Sequence, residues 1–161
     1  MKMKKYYLAY GSNLNVAQMQ HRCPTARVVG TAEIKDYELL FKGSMTGSYL
    51  TIEKAEGKAV PAAVWEVKKQ DELALDRYEG YPSFYYKKEM EIEYIGIVTH
   101  RRRKVKAFVY IMHEDRPLGI PSQYYVETCL TGYRTFGFDT KNLYTAIHES
   151  RVRKNENNRL Y

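Results

Sequence analysis

With 161 residues, 44% hydrophobic and 28% charged, the chain is long enough to bury a core as one globular domain over residues 1–161. No run approaches the ~20 apolar residues of a membrane span, and two cysteines do not make the disulfide framework of a small secreted protein. The net charge of +7 attracts phosphates, but no recognition-helix, zinc-spacing or stacking motif accompanies it, so the basic surface reads as solubilising. Neither a specific nucleic-acid partner nor a membrane is expected.

Tyr6-Tyr7-Leu8-Ala9 reads as a short buried strand. Behind a basic start its apolar part is too short for a signal peptide, and a cytoplasmic protein is expected. Directly after it stands Tyr10-Gly11-Ser12-Asn13-Leu14. A turn at a strand end can aim several backbone N–H groups at one point, which suits a carboxylate or a carbonyl oxygen becoming negative. The same residues also make an ordinary tight turn. Asn15 then caps a short helix to about Arg22, ended by Pro24. Cys23, before Pro24, reads as partly exposed, and Cys129 as buried filler. His21 lies two residues from Cys23, but an activating base is normally brought from a distant segment.

Residues 27–35 and 37–43 read as strands, as do 49–52 and 59–67, with Pro61 marking an edge or a bulge. A helical pattern from Lys69 to about Tyr78 delivers Glu79. Gly80 suits the left-handed position after a helix end, and Pro82 prevents the helix from resuming. At a helix C-terminus the unpaired carbonyls disfavour an ionised carboxylate, and burial among aromatics adds to this, so Glu79 acquires the raised pKa of a general base. An exposed helix-end glutamate beside a turn is the plainer reading of the same residues. Strands at 84–97 and 104–113 flank Arg101–Lys104, read as a solvated hairpin connection. Ser122 caps a helix with Val126, Cys129, Leu130 and Tyr133 on one face. Asp139 caps a last helix carrying Leu143 and Ile147, and residues 150–161 read as a frayed basic tail.

Strands fill the first two-thirds, with helices inserted and appended. The expected class is α+β: a mixed, mainly antiparallel, partly closed β-barrel with flanking helices. The oligomeric state is not readable from this pattern.

Two segments together resemble the gamma-glutamyl cyclotransferase-like family, its short bacterial-type members above all. They are the strand followed by Tyr10-Gly11-Ser12-Asn13-Leu14 and the mid-chain stretch Leu75-Asp76-Arg77-Tyr78-Glu79-Gly80-Tyr81-Pro82-Ser83-Phe84-Tyr85. Element order fits from about residue 4 to about residue 148. The resemblance implies that Tyr10–Leu14 is the substrate-binding loop, that Glu79 is the catalytic acid/base and that Tyr85 is a pocket tyrosine. Ser122-Gln123-Tyr124 is similar to a late family element and puts Tyr124 in the pocket, with the adjacent Tyr125 as the alternative. The implied reaction releases 5-oxoproline: the substrate's α-amine attacks its own γ-carbonyl and expels an amine or amino acid. Nucleophile and electrophile are tethered, so no metal, cofactor or enzyme nucleophile is needed. None of the four histidines shows metal spacing, and no Gly-rich phosphate motif is present. The expected partner is a small gamma-glutamyl substrate. A second reading keeps the fold and drops the chemistry, leaving a small-ligand-binding module.

Overall fold

A computed structural model describes residues 4–159. Its strands are β1 (Lys5–Ala9), β2 (Arg27–Ser44), β3 (Gly47–Val67), β4 (Tyr85–Gly96) and β5 (Arg102–Met112). Its helices are α1 (Val16–Arg22), α2 (Lys69–Glu79), α3 (Gln123–Phe136) and α4 (Lys141–Arg159). The strands close a barrel in the order β1-β3-β2-β4-β5. All pairings are antiparallel except β1 with β5, where Tyr6 and Tyr7 lie beside Ala107 and Phe108. β1 is flanked on both edges and is buried from Tyr6 through Ala9, which is why it reads as an unbroken apolar run.

The expected breaks at residue 36 and around 53–58 are irregularities inside two long strands, not strand ends. Between the pairs Lys35–Ala59 and Tyr37–Lys54, β2 has only residue 36 while β3 has residues 55–58. Asp36 adopts φ 64°, and its carboxylate accepts from the Gly57 N–H at 3.0 Å. This bulge bends the outer half of the β2–β3 hairpin. Pro61 lies opposite Glu33 of β2, and on its other side β1 reaches only Ala63, so Pro61 has no β1 residue beside it. The bent hairpin comes over the ends of β4 and β5: the Met112 N–H donates to Thr51 Oγ1 at 2.9 Å. Trp65, Phe41, Leu8, Ile34, Ile52 and Tyr133 are fully buried at the core.

α1 begins where the Asn15 side chain accepts from the Gln18 N–H, and α3 where Ser122 Oγ accepts from the Tyr125 N–H. α2 ends as its sequence requires, with Gly80 at φ 65°. Arg102–Lys104 belong to β5, so the connection before them is the shorter turn 97–101. Residues 151–159 are not frayed. They continue α4, where Arg153 makes a two-pronged ion pair with Glu38 at 2.6 and 3.1 Å and Ser150 Oγ accepts from the Phe41 N–H. The remainder of the expected tail, 160–161, lies outside the described residues. Among those described, no helix is long and apolar enough to cross a membrane.

α3 crosses the Tyr10–Leu14 loop at Gly132. A Cβ there would stand 2.4 Å from the carbonyl carbon and the Cβ of Leu14, closer than packed atoms approach. We predict that Gly132→Ala lowers stability by roughly 1–3 kcal/mol, measured by urea unfolding. A variant as stable as wild type would show that the loop can move away from the helix freely.

Candidate active site

The cavity of interest lies at the barrel end where β1 stops. Past Ala9 the chain turns into one 3₁₀ turn, Ser12–Leu14, whose Leu14 N–H donates back to the Gly11 carbonyl at 3.0 Å. The first donors of such a turn have no partner within it. Among the described residues, the N–H groups of Gly11, Ser12 and Asn13 meet no protein acceptor. Leu14 differs: its N–H is used within the turn, and its side chain is fully buried outside the cavity lining.

The side chains of the loop are fixed from several directions. Asn13 Nδ2 donates to Tyr7 Oη at 2.9 Å, while Asn13 Oδ1 accepts from Arg22. Ser12 Oγ shares a hydrogen bond of 2.9 Å with Tyr78 Oη, and the Arg22 guanidinium lies 3.4 Å above the Tyr78 ring. Tyr10 Oη donates to the Tyr110 carbonyl at 2.6 Å, and Tyr110 Oη to Asp76 at 2.6 Å. Lys87 completes the support, 3.0 Å from Asp76.

Glu79, the last residue of α2, reaches the same cavity. As a residue it is only partly buried, but protein surrounds its carboxyl closely. Burial drives its pKa from 4.5 up to about 8, against the opposing pull of Arg22. No hydrogen bond to the carboxyl is made among the described residues. Tyr7, Tyr10, Tyr85 and Tyr125 are raised well above the usual phenol range, chiefly by burial, and stay neutral. Across from the loop, Leu50 of the bent hairpin is held at both polar atoms. Its carbonyl accepts from Tyr85 Oη at 2.8 Å and its N–H donates to Tyr125 Oη at 3.1 Å. The cavity enclosed is narrow, about 20 Å³.

A buried carboxyl that shares a tyrosine-lined cavity with unused N–H donors suits proton transfer beside a developing oxyanion. The family model described as "Gamma-glutamyl cyclotransferase, AIG2-like" matches residues 7–127. The chain belongs to this family. A human gamma-glutamylcyclotransferase (Homo sapiens) is 31% identical over 140 residues, covering 81% of this chain and 71% of that protein. The protein of the same name from cattle (Bos taurus) is 30% identical over 131 residues, covering 77% and 68%. A solved structure titled gamma-glutamyl cyclotransferase superposes with TM-score 0.71 at 25% identity, over 89% of this chain and 86% of that one.

Within this gamma-glutamyl cyclotransferase-like barrel, Tyr10, Gly11, Ser12, Asn13, Glu79 and Tyr85 all line the cavity. Tyr124 does not. It is 75% exposed on the outer face of α3, and Tyr125 takes its place. The helical period that selects Cys129 and Tyr133 also selects Tyr125, four residues before Cys129, so a strict reading of that face finds it. Tyr7, Leu50 and Tyr110 also line the cavity without having been singled out. Tyr110 and Leu50 sit in ordinary strand patterns, and only the three-dimensional pairing brings them here. Cys23 is fully buried rather than partly exposed, and burial pushes its thiol up to about 11. His21 is exposed, so no Cys-His nucleophile forms.

Proposed function

We propose that the protein is a gamma-glutamyl cyclotransferase that releases 5-oxoproline, with Glu79 as its general acid/base. The observation that carries this reading is the unpartnered Glu79 carboxyl, raised to about 8, in one narrow cavity with the Gly11–Asn13 loop. The ionised carboxylate takes a proton from the substrate's α-ammonium. The freed amine attacks the γ-carbonyl carbon, a C–N bond forms, and the carbonyl oxygen becomes negative. The N–H groups of Gly11, Ser12 and Asn13 meet that oxygen or the substrate α-carboxylate. As the tetrahedral carbon collapses, the amide C–N bond breaks and protonated Glu79 gives its proton to the leaving amine; the attacking nitrogen, cationic once bonded, releases its second proton through the regenerated carboxylate, and the amine departs with it as an ammonium. Every proton lost is regained, and no oxidant or external nucleophile enters.

The test is 5-oxoproline release from a panel of gamma-glutamyl dipeptides and amines. No release from any member, with binding seen by calorimetry, would favour the ligand-binding module instead.

The electrostatics fix a pH dependence. The base works ionised, so kcat/KM should rise with pH through an acid limb near 8. Arg22 lowers that pKa, so Arg22→Gln should move the limb to higher pH. A limb left in place by Arg22→Gln would mean that another group titrates.

A further inference from the structure

The end of the barrel opposite the cavity has features that ring closure does not use. The turn 97–101 is tightly built: Gly96 N–H donates to the Arg101 carbonyl, Ile97 N–H to the Val29 carbonyl, and His100 N–H to the Gly96 carbonyl, at 2.9–3.0 Å. Arg101 N–H adds a bond to Thr99 Oγ1 at 3.2 Å. This well-tied turn nevertheless holds apolar side chains in water. Val98 is 88% exposed, with Ile95 and Ile97 at 47% and 42%. Scattered exposed aliphatics need no explanation, but Ile97 and Val98 are adjacent on one ordered turn and Ile95 stands just before it at the end of β4.

The charge around the patch is in excess positive. Arg101, Arg103 and Lys104 follow it directly, and none has a carboxylate at ion-pair distance among the described residues. Arg102 pairs with Glu93 at 3.2 Å. Strand directions bring further cations to this same end: Arg27 opens β2, Lys5 opens β1, and Lys68 and Lys69 follow β3. Glu66 and Glu72 engage Arg27 and Lys5, while Lys68 and Lys69 are unpaired among the described residues.

We propose that this pole, with Ile97 and Val98 at its tip, docks on an anionic lipid surface. The turn's aliphatic side chains enter the headgroup layer, and the surrounding arginines and lysines meet the lipid phosphates and carboxylates. A nucleic-acid backbone would satisfy the cations but leave Ile97 and Val98 in water, so the combination favours lipid. β4 and β5 run from this turn to the cavity, roughly 30 Å at about 3.3 Å per residue. A docked molecule therefore keeps its cavity open to the aqueous side. This departs from the sequence expectation of no membrane partner, and it does not depend on the assignment of the reaction.

The experiment is co-sedimentation with phosphatidylcholine vesicles, with and without about one third phosphatidylserine. We expect retention only by the serine-lipid vesicles and release by added salt. The Ile97→Asp, Val98→Asp double variant should bind at least about tenfold more weakly, with an unchanged thermal midpoint because both side chains are exposed. In a Val98→Trp variant, emission should shift to the blue when the vesicles are added. Failure of the anionic vesicles to retain wild type overturns the proposal. So does binding that the double variant preserves, or capture of RNA by wild type in place of vesicles.

Discussion

Glu79→Gln should reduce 5-oxoproline release by about 10²–10⁴-fold, the usual cost of losing a general base, while the barrel stays folded. The substitution keeps the shape of the side chain and removes its ability to take the ammonium proton. A second consequence separates this role from a structural one. The folded chain holds the Glu79 proton up to about pH 8, whereas the ordinary value is 4.5, so unfolding between those limits releases a proton. Stability due to this group therefore falls as pH rises through that window. Glu79→Gln removes the penalty and should be more stable than wild type at pH 8, by on the order of 1–3 kcal/mol. Below about pH 4 the two proteins should converge. Chemical denaturation at both pH values, beside the activity assay, decides the matter. A fully active variant sinks the mechanism, and one destabilised at pH 8 means that the carboxylate was serving the fold.

Gly11→Val should abolish detectable substrate binding. A Cβ on Gly11 already stands 3.2 Å from Tyr125 Oη and 3.5 Å from Leu50 Cβ. The two further methyl groups of valine have only the narrow cavity to enter, and they would displace either the substrate or the Tyr125–Leu50 hydrogen bond. Calorimetric titration with a gamma-glutamyl dipeptide, in the Glu79→Gln background to prevent turnover, reads this directly. Unchanged affinity would remove the Gly11–Asn13 loop from the binding site.

How far the chain itself announces these features depends on whether the cause is local. The Gly80 stop, the Asn15 and Ser122 caps and the apolar face of α3 are written in adjacent residues, and each forms where its chemistry requires. The β2–β3 hairpin is different. Asp36 and the 55–58 segment carry turn-like residues, but the hydrogen bonds on either side continue, because a bulge costs less than abandoning the ladder. That distinction depends on partner strands that a linear reading does not see. The same holds for the cavity. Glu79 and the Gly11–Asn13 loop were legible because each terminates an element. Tyr110 and Leu50 were not, since they reach the site through pairings with distant strands. Between Tyr124 and Tyr125 the family likeness does not choose, and on a helix that single step is a rotation of about 100°, enough to exchange solvent for the interior.

The seating of β1 has a consequence for how the protein comes into being. Its neighbours are β3, through pairs such as Lys5–Val67, and β5, through Tyr6–Ala107. During synthesis this strand emerges before the other four, yet its second edge stays bare until about a hundred further residues have left the ribosome. Such remote partners make for slow closure. The apolar Tyr6–Ala9 run must meanwhile be kept from other chains, which makes a nascent polypeptide halted before β5 a natural client for holding chaperones. The Gly11–Asn13 loop hangs from that same strand, so the cavity is completed late, after β5 has closed the barrel and α3 has brought Tyr125 to it.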